Sequence, residues 1–384
     1  MLSRLVLALL ASLMLAHVHA APAPLAERWA GLRAEQPKLH IRDAARALGA
    51  SEAELLATNV GQGVTRLKSD ADAPREIMRR ALDLGTVLAT TRNESGVIDR
   101  TGVASKLKEK DGEASAGANE DSERAARMRN IAGGYLGGEI DLRFNFSNWK
   151  HAFAVVQPGR DGKIARSLQF FNASGTSAHK IFLRSEAGVA VFDKLVAEFR
   201  LDEQDAPLTI VKAAPKAAKK PDAGVDVKEF QSAWKEMGDV HEFKQILGEF
   251  QLSREQALRL APAGAAERIA PAALRSLLEG AAAQQVAIMA FVGNEAVTQI
   301  FSGKIVKTGA AGDWYNVLDP NFNLHLRESA LGSGWVVKRG GVTSVEFFDK
   351  NGDLAVTFFG VRARATPQPQ AWADLAQSLP RLVR

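Results

Sequence analysis

Hydrophobic positions along the chain follow two periods in turn, and the succession occurs twice. From Leu25 to Leu67 apolar residues recur at helical spacing, and Ser51 with Glu54 forms a capping-box pattern ahead of Leu55 and Leu56. Helical spacing resumes at Pro74, a residue suited to a first helical turn, and runs through Ile77, Met78, Ala81 and Leu82. From Thr86 the period shortens to two. Strands are predicted over 86–91, 96–99, 140–146, 152–156, 167–171 and 179–183, then a helix over 189–199. The pattern then returns, with helices over 227–260 and 271–283 and strands over 286–292, 297–307, 314–318, 322–326, 334–338, 343–348 and 355–359.

Individual residues carry the same repetition. Arg92-Asn93-Glu94 matches Gly293-Asn294-Glu295, and Asp141-Leu142-Arg143-Phe144 matches Asn323-Leu324-His325-Leu326. The run from Ser167 through Phe170-Phe171 to Gly175 matches that from Ser344 through Phe347-Phe348 to Gly352. Residues 106–129, rich in Lys, Glu, Asp, Gly, Ala and Ser, interrupt only the first copy and are expected to form a mobile loop. The expected class is α+β, a tandem duplication of a helix-plus-antiparallel-sheet unit. The first repeat spans 25–211 and the second 227–384. They are joined by a Pro/Ala/Lys linker over 212–226. A duplication leaves a cleft between its halves, where ligands commonly bind.

Composition narrows the chemistry. Of 384 residues 46% are hydrophobic and 24% charged, ample for buried cores in a chain long enough for two of them. The net charge of +5 suits an anionic ligand as well as it suits nucleic acid, and no run interleaves dense Lys/Arg with aromatics. The chain has no cysteine, which excludes disulfides, thiolate ligation of haem and iron–sulfur clusters. Residues 1–20 resemble a secretory signal: Arg4, an apolar run from Leu5 to Ala16, and Val18-His19-Ala20 ahead of Ala21. That reading predicts export and a mature start at Ala21, with no membrane span thereafter. Gly-rich phosphate loops, His-Glu-x-x-His helices and Gly-x-Ser-x-Gly elbows are all missing from the sequence.

One stretch stands apart. After Trp234, the run Met237-Gly238-Asp239-Val240-His241-Glu242-Phe243 reads as a helix start, with Asp239 as N-cap and Glu242 closing a capping box. Val240, Phe243, Leu247 and Phe250 form the expected buried stripe, and His241 falls beside it in the first turn. The positive end of the helix disfavours imidazolium there, and a neutral imidazole can donate a lone pair to a metal. An ordinary surface histidine satisfies the same local sequence.

The Met-x-Asp-Val-His-x-Phe run resembles the ligand segment of bacterial hemin-utilisation proteins of the HemS/HmuS/ChuS type, the hemin-degrading factors. The similarity extends over most of the chain from about Leu25. The resemblance implies two similar halves with haem held in a cleft between them, and His241 as axial ligand of the haem iron. It implies Arg143 on the distal face, where a guanidinium ligates iron poorly but can donate hydrogen bonds to a small ligand. Arg254, Lys338 and Arg339 match positions that meet the propionates, through cation–carboxylate pairing. Asn145 and Lys244 replace phenylalanines found near the haem in some relatives. Ile98 stands where some carry a second histidine, which argues against a second histidine-ligated site. His325, the repeat-mate of Arg143, has no separate claim to be a ligand.

The function expected from this resemblance is hemin binding and trafficking in bacterial iron acquisition, with haem-transporter components or a haem oxygenase as partners and no nucleic acid. The alternative is an oxygenase-type enzyme that opens the porphyrin with an external electron donor, Arg143 then being catalytic. A non-haem scaffold or nucleic-acid binder is the remaining reading. The family is usually cytoplasmic, in tension with the signal-like residues 1–20.

Overall fold

The computed structural model describes residues 23–70, 72–104, 133–135, 138–159, 162–213, 220–362 and 366–382. The signal-like segment 1–20, the predicted loop 106–129 and the middle of the linker, 214–219, lie outside them. Two antiparallel sheets organise the chain. The first contains β1 (Val64–Leu67), β2 (Thr86–Arg92), β3 (Gly96–Val103), β6 (His151–Pro158), β7 (Ile164–Phe171) and β8 (Ser177–Leu183). The second contains β9 (Ala266–Ile269), β10 (Ile288–Gly293), β11 (Val297–Gly303), β15 (Leu331–Arg339), β16 (Val342–Asp349) and β17 (Leu354–Gly360).

The remaining strands exchange places. β4 (Gly133–Tyr135) and β5 (Asp141–Phe144) belong to the first half of the sequence but extend the second sheet, β5 pairing with β11. β12 (Thr308–Ala311), β13 (Trp314–Asp319) and β14 (Phe322–Arg327) extend the first sheet, β14 pairing with β3. The repeat-mates Arg143 and His325 therefore sit in each other's sheets.

Two asparagines fasten the exchange. Asn93 Nδ2 donates to the carbonyls of Gly293 (3.2 Å) and Ala355 (2.8 Å), while its Oδ1 accepts the backbone N–H groups of Ser95 and Gly96. Asn294 reciprocates, donating to Arg92 O and Ala178 O (2.9 Å each) and accepting from Ala296 and Val297. The repeated Asn-Glu pair is thus a structural staple, each copy satisfying backbone carbonyls of the other half.

Helices cover the sheets unequally. Ala73–Arg80 and Val189–Phe199 pack with the first sheet, and Ala273–Ala283 and Gln370–Ser378 with the second. On the opposite faces a trio of short helices covers only one end. Leu25–Glu35, Ile41–Leu48 and Glu52–Ala57 lie by β1 and β6. Val227–Glu236, Phe243–Glu249 and Arg254–Leu260 lie over β15, through Trp335 and Val337. Beyond the trio each face runs on to the exchanged strand, and on the second sheet Met289, Phe291 and Phe359 are half-buried there.

Several elements differ from expectation. The helical pattern through Leu67 ends in β1, because Val64–Leu67 finds backbone partners on β6. β9 and β12 carry too little periodic signal to be predicted, whereas the helix Gln370–Ser378 is an addition whose Trp372, Leu375, Ala376 and Leu379 do follow helical spacing. The helix expected over 227–260 is broken into three, with a 3-10 turn at Val240–Glu242. Of the expected stripe after the break only Phe243 is buried, joined by Ile246, whereas Val240, Leu247 and Phe250 are half-buried.

Candidate functional site

The turn bearing His241 is built from its neighbours. Helix Val227–Glu236 stops at Met237, and Asp239 opens the 3-10 turn with a complete capping box, its carboxylate accepting from the turn while Glu242 Oε1 accepts from Asp239 N at 3.1 Å. His241 projects outward, its side chain 85% exposed. Its Nδ1 meets Asp239 Oδ1 at 2.5 Å. The underside of the turn rests on the β15–β16 hairpin tip. Gly340 there has φ +50°, and a Cβ on it would lie 2.9 Å from Val240 N. Beside this contact opens a recess of about 450 Å³, lined by Trp234, Met237, Lys338, Arg339 and Thr343 among others.

Behind the turn sits a buried ionic triad. Glu346 on β16 is fully buried. Arg254 Nε and Nη2 grip its carboxylate at 2.6 and 2.9 Å, Arg339 Nη2 donates at 2.6 Å, and Ser344 Oγ at 3.0 Å. Burial pushes the Glu346 carboxyl up, but the two guanidiniums overcome it and hold it at about 2. Both arginines also lie over the Phe243 ring, at 4.4 Å for Arg339 and 5.5 Å for Arg254. The triad thus clamps the residue two places beyond His241.

The expected ring-edge cations differ in exposure, and Arg339 is the most buried of them. Its side chain is 3% exposed and committed to Glu346, because desolvating a guanidinium is tolerable only against a paired carboxylate. Arg254 keeps 29% exposure, and Lys338 is exposed.

Strand registers connect this corner to Arg143. Asp141, Ile300, Phe291, Thr357, Glu346 and Trp335 are direct cross-strand partners in one continuous row, so their side chains share a face. Arg143 lies two residues beyond Asp141 and so joins that face; its guanidinium bonds the Asp141 carboxylate and the carbonyls of Leu142 and Tyr135. At about 4.8 Å per strand, four steps separate β5 from β16, roughly 19 Å. Between them the floor is mostly apolar: Ile300, Phe291, Met289 and Phe359, with the two phenylalanine rings edge-on at 5.3 Å and the buried Thr357 as the polar member of the row.

The equivalent row on the first sheet reads Asn323, Asp99, Thr90, Lys180, Gln169 and Phe153. Polar and charged groups replace the apolar floor, and neutral Gln169 replaces Glu346. His325 on that face bonds Asn316 Oδ1 at 2.7 Å, and burial lowers its pKa. His179 is fully buried against Phe144 and Trp149, with Nδ1 on Thr91 Oγ1 at 2.9 Å; burial holds it at about 3. Among the described residues His40 and His241 are exposed, and His241 is the one carried by the helix trio over the second sheet.

Residues 49–199 and 251–379 match the haemin-degrading HemS.ChuX domain. The chain belongs to the HemS/ChuX family. It is 32% identical over 361 residues to the hemin transport protein HmuS of Yersinia pestis, covering 92% of this chain and 96% of that protein. Among solved structures it is similar to holo-PhuS, a heme-binding protein from Pseudomonas aeruginosa, with 35% identity and a TM-score of 0.83 over 94% of this chain and 100% of the other. It is also similar to ChuS, an Escherichia coli heme oxygenase, with 27% identity and a TM-score of 0.75 over 92% and 98% of the two chains.

Within this HemS/ChuX chain, sequence reasoning missed two groups of the site. Glu346 alternates with Val345 and Phe347 like any solvent-facing strand residue, and only the helices packed above it reveal its burial. The hydrogen bonds from the His241 backbone and ring lower the Asp239 carboxyl, and Arg362, just past β17, adds a smaller effect in the same direction; no local pattern marked Arg362. Asn145 bonds Glu295 O at 3.1 Å at the edge of the second sheet, and Lys244 is exposed on the turn's helix.

Proposed function

We propose that this chain binds hemin for bacterial haem uptake and iron acquisition, receiving it and handing it on to a transporter component or a degrading enzyme. The observation that carries the proposal is the face of the second sheet: a mostly apolar floor with an outward imidazole at one end and a guanidinium at the other. A porphyrin needs those three things, and the matching face of the first sheet lacks the apolar floor. No group of three or more His, Asp or Glu side chains gathers among the described residues to cage a bare ion. One imidazole suits a metal that arrives inside its own macrocycle.

In this reading hemin is the cargo, and its iron brings the redox chemistry. His241 supplies the axial lone pair. Ile300, Met289, Phe291 and Phe359 exclude water from a ring face. Arg143 directs N–H donors at the distal side once it is shared with, or released from, Asp141. Arg254 and Lys338 pair with propionates at the ring's edge, while Arg339 holds Glu346 and Phe243 in place. No helix among the described residues is long and apolar enough to cross a membrane.

A second reading, ring-opening catalysis with an external electron donor, is favoured by the likeness to the Escherichia coli heme oxygenase. Arg143 would then be catalytic. Product analysis with a physiological reductant and catalase present separates turnover from peroxide damage, and absence of a ring-opened product leaves trafficking alone. The site itself is tested by hemin titration. H241A should weaken binding at least tenfold and change the Soret and visible bands while the fold persists. If H241A keeps wild-type spectra and affinity and a substitution at His325 or His179 abolishes them, the assignment is wrong.

A further inference from the structure

The contact between Asp239 and the His241 ring is more than the cap requires. A single oxygen, Asp239 Oδ1, accepts from the backbone N–H of His241 at 2.8 Å and also meets the ring Nδ1 at 2.5 Å. The backbone contact alone completes the N-cap, with Glu242 closing the other side of the box. The ring contact fixes an imidazole that is otherwise 85% exposed. An exposed pair of this kind contributes little stability, and immobilising the ring costs part of it. Its effect is therefore chemical. With a carboxylate on Nδ1, the hydrogen resides there, and the lone pair sits on Nε2, the ring atom farther from the chain. The helix start in the same place of the first half, His40 ahead of Ile41–Leu48, has no side-chain cap at all, so the device occurs on the half with the apolar floor.

We propose that Asp239 is a positioning residue for the metal-ligating imidazole. It selects the tautomer that presents Nε2 to iron, and its negative charge on Nδ1–H makes that nitrogen a stronger donor, which favours the ferric over the ferrous state of the cargo. This rests on His241 being the axial ligand. It adds that the protein biases the redox state of the hemin it carries through a carboxylate two residues away, with the Gly340 backbone supporting the turn from beneath.

The test separates the cap from the ring contact. D239N keeps a good N-cap and the side-chain shape but replaces the carboxylate with a neutral amide. D239S keeps a cap whose arm is too short to hold the ring. Full-length protein loaded with hemin is examined by resonance Raman in the ferrous state and by spectroelectrochemical titration. Both variants should retain the apo melting temperature. The iron–histidine stretch should shift to lower frequency and the midpoint potential upward, more in D239S than in D239N. In an H241A background neither change should have any effect on the potential. Wild-type stretch and potential in both variants, with H241A losing the iron–histidine band, would overturn the proposal and leave the ligand assignment standing. An iron–histidine band that persists in H241A would overturn that assignment, and the proposal falls with it.

Discussion

Glu346 shows how one buried residue links stability to the site. Its carboxyl is held at about 2 against an ordinary value of 4.5. Because the folded value lies below the unfolded one, its contribution is fully present above the ordinary carboxylate range. It is lost as pH falls from about 4.5 towards about 2. E346Q leaves two guanidiniums facing a neutral amide in the core and should cost about 3–5 kcal/mol at neutral pH. The gap to wild type should narrow as pH drops through that window, measured by urea unfolding at a series of pH values. A gap independent of pH would mean that packing, not charge, is what Glu346 supplies. Histidine 241 was legible as a capped ligand candidate, since its cap is encoded within four residues. Glu346 was not, since its partners Arg254 and Arg339 arrive from two other elements.

At the scale of elements, the decisive feature is the short turn that interrupts a long helical pattern. Hydrophobic spacing continues across 227–260, yet the chain breaks at Met237–Gly238 and again near Gln251, which adopts φ +55° before Ser253 caps the next helix. The breaks let His241 ride on the hairpin tip. Gly340 is the contact that permits it, because a side chain there would need both left-handed backbone and space already filled by Val240 N. G340V should therefore destabilise by more than about 1 kcal/mol and weaken hemin binding, whereas G341V at the neighbouring glycine meets nothing within 4 Å and pays only the backbone strain of φ +69°. Equal hemin affinities for the two variants in parallel titrations would show that the turn does not rest on the tip. The same scale explains the misread strand β1. Gly63, at φ +80°, brings the backbone against Val156 O, and the strand exists only because β6 pairs with it.

Across the whole molecule, the exchange of β4 and β5 for β12, β13 and β14 means that neither sheet is completed by its own half. A cut within the linker should leave two fragments that still co-migrate at the mass of the intact chain and part only in denaturant. Limited proteolysis followed by size-exclusion chromatography checks this. Fragments that separate under native conditions would contradict the exchanged pairing of β5 with β11 and β14 with β3. The prediction follows from hydrogen bonding: separation would strip edge strands of their partners and orphan the carbonyls that Asn93 and Asn294 satisfy.

The sequence by itself determined what depends on nearby residues and on repetition. The α+β class follows from the periods, the duplication from matched runs such as those around Asn93 and Asn294, and the capped turn from Asp239 and Glu242. Tertiary structure alone decided what depends on registry between distant segments. It placed Arg143 on the second sheet although its residues belong to the first half. It gave the second sheet Ile300 and Phe291 where the first has Asp99 and Thr90, which distinguishes two otherwise matching faces. It also buried Arg339 and paired it with Glu346, a partner on the neighbouring strand. The physical reason is that periodicity reports which way a side chain points along its own element. Which charge or ring it meets there is fixed only when another element packs across it.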